Sequence, residues 1–330
     1  MTTNRATIDY QKAQLRSLYE RHVSSGDKYA LVDFPDHANV GDSAIWLGEV
    51  ALLESITGLM PSYVCTASNF DAEELKAYCP NGVIFIHGGG NFGDIWPDHQ
   101  RFREQLIAKF PDRQIVQLPQ SIKFRDDTGI KRFRDLVLTH PNFTLYVRDE
   151  PSLQLAEAEF NCPTYLTPDS AFGIGSQKRQ QTHCSVFMLL RTDSEKVGYD
   201  RSPLDVIEDV EIDDWLEEAS SLIWVVRVRR RITKVYPAWD RGARRVNWFN
   251  WLANNRVKRG MAQLSRGRTV ITDRLHGHIL CVLLDIPHVA LDNDYGKVSN
   301  YIKAWTSGYP NVLAAKSSED AADIHRTLRS

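Results

Sequence analysis

The feature that most constrains this chain is an alternation of short apolar runs with longer segments of helical period. Tyr29–Phe34, Gly82–His87, Gln114–Leu118 and Phe143–Arg148 read as strands, and Ser43–Ile56, Asp98–Phe110, Asp126–Leu138 and Pro151–Glu159 read as helices between and after them. Runs this continuously apolar suit strands buried on both faces, and the βαβα rhythm suits a parallel sheet covered by helices. Asp42 or Ser43 is placed to cap the helix after the first strand. After a Gly-, Ser- and Gln-rich stretch at 173–182, the rhythm resumes with strands at Ser185–Arg191, Val270–Thr272 and His288–Leu291 and a helix starting near His276. The expectation is an α/β fold of two Rossmann-like domains facing across a cleft, residues 1–175 and 176–330. The C-terminal helix is expected to pack back on the first domain. Ligands then belong between the carboxyl ends of the two sheets.

Length agrees, since 330 residues fit two domains of roughly 150 residues each. A formal net charge of −2 argues against a nucleic-acid binder working by bulk electrostatics. Five scattered cysteines without CxxC spacing suggest a reducing compartment with neither a disulfide framework nor a zinc site. The polar N-terminus reads as an amphipathic helix and not a targeting segment, and no apolar run approaches the ~18 residues of a membrane span. The expected location is cytoplasmic.

Charge is uneven in the second half. The stretch from Asp193 to Glu218 is acidic, whereas Val225 to Arg268 carries thirteen Lys and Arg residues against Asp240 alone. Trp224, Tyr236, Trp239, Trp248, Phe249 and Trp251 interleave with them. Three readings stay open: a solvated helix face, peripheral contact with the inner face of the plasma membrane, or a grip on the diphosphate of a lipid-linked glycan. Arg229, Arg230, Arg231 and Trp239 are the candidates for acceptor or membrane contact. No nucleic-acid recognition module surrounds them.

Four turns at strand ends carry the chemistry. Pro35–Asp42 joins a strand to a helix, with Gly41 giving the backbone room and Asp42 either capping or acting on substrate. His87-Gly-Gly-Gly-Asn-Phe-Gly-Asp94 is a glycine loop whose Gly88, Gly89 and Gly90 let a ligand approach the main chain. It fits GxGxxG, but Asp94–Asp98 interrupts where the helix should start, and the next strand ends in Gln120, not in a ribose-holding acid. Arg148 in Val-Arg-Asp-Glu can clamp a carboxylate or phosphate, or merely pair with a neighbouring Asp. A similar strand-end loop goes with this third turn: Asp169 in Thr-Pro-Asp-Ser can orient a partner or cap a turn.

The fourth turn, Asp273-Arg-Leu-His-Gly-His278, places a cation and an imidazole at a strand-to-helix junction. Helix N-termini favour anions, so an anionic small molecule is the expected ligand. Arg274 suits its charge and His276 suits proton transfer. Metal binding at His276 and His278 lacks further ligands in the sequence.

The order HANVGDSAIW, GGGNFGD, LPQS, YVRDEPS, LTPDSAF and TDRLHGHI closely resembles the polysaccharide pyruvyltransferase family over about 30–305. The resemblance implies a fold like the GT-B glycosyltransferases. It also implies a reaction, in which the pyruvyl group of phosphoenolpyruvate moves onto a sugar as a cyclic ketal with release of phosphate. Phosphoenolpyruvate is then a co-substrate, with no further cofactor and no metal. The acceptor is a sugar of a bacterial exopolysaccharide repeat unit, expected to be lipid-linked. The family's phosphoenolpyruvate site falls on Asp42, Arg148, Arg274, Leu275 and His276, with Gly88–Gly90 lining the cleft. His276 and Asp42 are the catalytic candidates. The rival readings are a nucleotide-sugar glycosyltransferase of GT-B type and a non-catalytic polysaccharide-assembly protein.

Overall fold

The computed structural model describes residues 4–192, 202–292 and 296–329. Residues 193–201, at the start of the acidic stretch, lie outside them.

The first half contains α1 (Asn4–Tyr19), β1 (Tyr29–Val32), α2 (Val40–Thr57), β2 (Tyr63–Cys65), α3 (Ala72–Tyr78), β3 (Val83–Ile86), β4 (Gly89–Gly93), α4 (Pro97–Lys109), β5 (Ile115–Lys123), α5 (Asp127–Leu138), β6 (Phe143–Val147), α6 (Glu150–Glu159) and β7 (Thr164–Leu166). The second contains β8 (Cys184–Leu189), β9 (Val210–Asp213), α7 (Ser220–Val235), α8 (Ala243–Ser265), β10 (Gly267–Thr272), α9 (Leu275–Leu284), β11 (His288–Leu291), α10 (Lys297–Tyr301), β12 (Val312–Ala315) and α11 (Ser318–Arg329).

The chain is α/β with two parallel sheets. The first runs β2-β1-β3-β5-β6-β7, with β4 beside β5, and the second runs β12-β11-β10-β8-β9. Both follow one scheme: the strand that comes first in each sheet lies between the second and third. The order therefore reverses between β1 and β3, and again between β8 and β10. Crevices open at the carboxyl ends of strands at such reversals, because the connections leave in opposite directions. Strands β1, β3, β6 and β11 are buried along their whole lengths, and β10 at all but one residue, as expected where helices cover both faces.

Five short strands (β2, β4, β7, β9, β12) escape a periodic reading because three to five residues carry too little pattern. The expected glycine loop contributes most of its length to β4. Gly89 pairs with Gln120 and Phe92 with Ile122, so the triple glycine hugs the end of β5.

Helix α8 closes the two halves against each other. Phe249 stacks on Phe34 with ring centroids 4.1 Å apart and planes 9° from parallel. Trp46 Nε1 donates to Asn250 Oδ1 at 2.9 Å. Gly260 sits so close to Val40 that a Cβ there would lie 2.3 Å from its side chain. The basic segment thus divides. Arg245, Arg256 and Arg259 are not surface charges but ties between the halves, donating to Val64 O (3.2 Å), Pro35 O (2.9 Å) and Ala38 O (2.6 Å). The last two hold the turn after β1 in place.

The C-terminal helix departs from expectation. Ala321 and Ala322 of α11 bury their faces with Val186, Met188 and Ile271 of the second sheet, not on the first half. The crossing contacts come instead from just before β12 and from α1. Tyr301 Oη accepts from Asp169 N at 3.0 Å, Trp305 Nε1 donates to Arg148 O at 3.1 Å, and Gln11 of α1 donates to Trp305 O at 3.0 Å. Among the described residues no helix is long and apolar enough to cross a membrane.

Candidate active site

A cavity of ≈430 Å³ lies at the carboxyl ends of both sheets, at their two reversal points. Asp42, His87, Gly88, Gly90 and Arg148 line it from the first half, and Arg191, Trp215, Arg274, Leu275 and His276 from the second.

Two of its lining residues, Arg148 and His276, converge on the fully buried Asp169. Arg148 is 3% exposed and donates from Nη1 to Asp169 Oδ2 at 2.6 Å. His276 Nε2 lies 3.3 Å from the same oxygen, and Asp169 Oδ1 accepts from Ala171 N at 2.9 Å. Burial alone would raise this carboxyl, but His276, Arg148 and the Ala171 amide hold it well below the usual carboxylate range. Asp169 therefore both caps its turn and orients partners. Arg148 does not pair with Asp149, which instead caps α6 through Ser152 N at 3.0 Å. Ser121 accepts from Arg148 Nε at 2.9 Å and donates to Asp149, so the LPQS, VRDE and TPDS turns meet at one guanidinium.

Asp42 is not the cap of α2. Asn39 is, accepting from Gly41 N at 3.0 Å and donating to Asp42 Oδ2 at 2.8 Å. One turn of helix thus presents the Asp42 carboxylate to the cavity. Burial would raise it, but His37, His276, His87 and Arg148 hold it below its ordinary value, so it is ionised near neutrality. Two glycines make this geometry possible. A Cβ on Gly41 would fall 2.4 Å from His276 Nδ1, and a Cβ on Gly90 would fall 3.3 Å from Arg148 Nη2. Gly89, at φ +125°, does not line the cavity; a Cβ there would lie 3.5 Å from Ile45 and 3.6 Å from Asp42 Oδ1.

Arg274 is 4% exposed. It makes a two-pronged pair with Asp214, Nε to Oδ1 at 2.8 Å and Nη2 to Oδ2 at 2.7 Å. Asp273 accepts from Arg191 N at 2.9 Å, which stitches the end of β10 to the end of β8. His278 points away from the cavity. Its Nδ1 meets His288 Nε2 at 2.7 Å and its Nε2 meets Thr306 Oγ1 at 2.9 Å. Burial pushes His278 well below the ordinary histidine value and His288 down to about 4. These are neutral core imidazoles.

Arg229, Arg230, Arg231 and Trp239 do not line the cavity. Arg229 is committed to Asp240 and lies 4.4 Å from the Trp248 ring, while Arg230 and Arg231 are exposed on α7.

Several residues of the site carry no signal that the sequence reading picks up. Asp33 sits in the left-handed region at φ +71°, a conformation that costs energy outside glycine. Its buried carboxylate contacts His99 Nδ1 at 2.9 and 3.0 Å. Trp215 is buried on the cavity wall with its Nε1 unpartnered among the described residues, and Trp96 stands half exposed at the rim. The Asp213-Asp214-Trp215 triplet is the one local signal for the partner of Arg274.

Residues 39–295, nearly four-fifths of the chain, match the family model described as polysaccharide pyruvyl transferase. The chain belongs to that family. It is similar to Pyruvyl transferase 1 of Schizosaccharomyces pombe, at 32% identity over 323 residues, covering 92% of this chain and 76% of that one. It is also similar to the putative pyruvyl transferase EpsO of Bacillus subtilis, at 31% identity over 85% of this chain and 86% of that one. A solved structure of an uncharacterised protein from Klebsiella pneumoniae shares the fold, with a TM-score of 0.57 at 18% identity over 93% of this chain and 99% of that one. The family makes the protein a pyruvyl-transferring enzyme acting on a polysaccharide. That sets aside the nucleotide-sugar and non-catalytic readings.

Gly41→Ala should drive the His276 ring from Asp169. We expect a loss of ~10²-fold in turnover, the scale of a 1 Å misplacement, with an unchanged far-ultraviolet circular dichroism spectrum. Wild-type turnover in G41A would contradict this packing.

Proposed function

We propose that the enzyme transfers the pyruvyl group of phosphoenolpyruvate to two hydroxyls of one sugar, forming a cyclic ketal and releasing phosphate. The sugar would belong to an exopolysaccharide repeat unit carried on a lipid. In this reading the two sheets are GT-B-like domains, 1–175 and 176–330, with donor and acceptor meeting between them. The observation that carries the proposal is convergence: Arg148, Arg274, His276 and Asp42, from both sheets, face one cavity.

The chemistry suits those groups. Phosphoenolpyruvate brings a carboxylate and a phosphate, which call for fixed cations and N–H donors. Arg148 and Arg274 are pre-positioned by Asp169 and Asp214, so little side-chain freedom is lost when the anion binds. His276 protonates the methylene carbon, giving an oxocarbenium-like centre. One sugar hydroxyl adds to that centre and phosphate leaves, its charge stabilised by the arginines. The second hydroxyl then closes the ring. The balance is complete: of the two hydroxyl protons, one replaces that spent on the new methyl group and the other leaves with phosphate. Asp42, ionised and one turn into α2, is the base for the attacking hydroxyl.

His276→Ala should lower phosphate release from phosphoenolpyruvate plus acceptor by ~10²-fold or more. Wild-type-like release would remove His276 from its role.

The acceptor's carrier gives the exposed half of the basic segment a use. Trp224 is 67% exposed, and Arg227, Arg231, Lys234 and Val235 continue its face of α7 at helical spacing. Helix α7 starts four residues after Leu216 of the cavity wall. An aromatic and basic face of this kind suits peripheral docking on an anionic bilayer. The protein should float with phosphatidylglycerol-containing vesicles at low salt, and charge reversal at Arg227 and Arg231 should abolish this. Failure to float at low salt would defeat the membrane contact while leaving the transfer chemistry untouched.

A further inference from the structure

His87 is a buried cation-capable residue of the cavity wall that the reaction scheme leaves unused. It follows β3 and is 1% exposed, yet it forms part of the cavity wall beside Gly88. Its backbone is locked on both sides: the N–H donates to Val32 O at 3.0 Å, and the carbonyl accepts from Gln117 and Gln120 at 3.0 and 3.1 Å. The ring Nδ1 lies 2.7 Å from Glu49 Oε2, and Glu49 Oε1 accepts from Gly88 N at 2.8 Å. Glu49 is fully buried on α2. The ring is thus aimed by a carboxylate that reaches no solvent, the arrangement by which a histidine's far nitrogen is fixed for use.

That far nitrogen, Nε2, has no hydrogen-bond partner among the described residues. Buried polar atoms are rarely left so, and one at a cavity wall points to a missing ligand.

We propose that His87, aimed by Glu49, is a donor-binding residue whose Nε2–H hydrogen-bonds an oxyanion of phosphoenolpyruvate. This deepens the proposed function and rests on phosphoenolpyruvate being the donor. Three carboxylates face the ring, Glu49 and Asp42 from α2 and Asp33 from the end of β1. Burial alone would lower the imidazole, but these carboxylates, Glu49 foremost, hold it above its ordinary value. With Nδ1 given to Glu49, a charged ring leaves Nε2 as a donor, and the anion supplies the acceptor that the protein withholds. A neutral ring would leave Nε2 as a base instead, which the test distinguishes.

The test is calorimetric binding of phosphoenolpyruvate to wild type, His87→Ala and Glu49→Gln across pH, with turnover measured alongside. Wild type that fails to bind phosphoenolpyruvate would overturn the donor assignment, and with it this role. Given wild-type binding, the alanine variant should bind ~10- to 100-fold more weakly, the scale of one charge-assisted hydrogen bond. Its kcat at saturation should stay closer to wild type than its kcat/KM. Wild-type affinity should fall as pH rises through the imidazole's titration, and Glu49→Gln should move that fall to lower pH, because the charge holding the proton on is gone. Unchanged affinity in a folded alanine variant overturns the proposal, as does a loss confined to kcat or a pH profile that Glu49→Gln leaves in place. Should the alanine variant not fold, nitrogen-15 spectra of the wild-type imidazoles decide. A His87 Nε2 resonance that shifts with phosphoenolpyruvate supports the role, and an unmoved one overturns it.

Discussion

At Asp169 one buried carboxylate receives Arg148 from the first sheet and His276 from the second, while its backbone N–H is held by Tyr301. A buried carboxylate is costly unless paired and hydrogen-bonded. Removing either partner would leave charge uncompensated where the two sheets meet. The same contact that joins the halves therefore fixes the distance between the arginine and the imidazole that face the cavity.

The second level of organisation is the use of arginine as a tie. Arg245, Arg256 and Arg259 reach from α8 to backbone carbonyls of the first half. Planar guanidinium donors suit this because they satisfy several carbonyls at once. Two of those carbonyls, on Pro35 and Ala38, belong to the turn that precedes Asn39 and Asp42. Packing of Phe249 on Phe34 thus bears on the same turn that delivers the Asp42 carboxylate, so interface and site are built from one set of contacts.

The long strands, the helices between them and the turns at 35–42, 148–150 and 273–278 are legible because their signals are local: period, glycine and charge at strand ends. Partners are not. Asp169 and His276 are 107 residues apart, Asp214 and Arg274 are 60 apart, and Glu49 and His87 are 38 apart; spacing cannot show which strand ends share a cleft. Residue types at the start of α2 point to Asp42 or Ser43 as the cap, whereas the loop geometry puts Asn39 there, with its side chain accepting from Gly41 N. Basic residues on α7 and α8 look alike in sequence, yet Arg256 is buried and Arg231 exposed. Glycines at strand ends suggest room for a ligand, whereas Gly41 and Gly90 make room first for His276 and Arg148. The C-terminal helix carries no signal of which half it covers.

Asp169 holds Arg148 and His276 together, and under the proposed chemistry this contact assembles the phosphoenolpyruvate site. Calorimetric titration of phosphoenolpyruvate into Asp169→Asn tests it most directly, with thermal unfolding as the check on folding. A folded variant that binds phosphoenolpyruvate at least ~10-fold more weakly than wild type, in keeping with the loss of an ionic hydrogen bond, is the predicted result. A folded variant with wild-type affinity would mean that Asp169 does not organise the site.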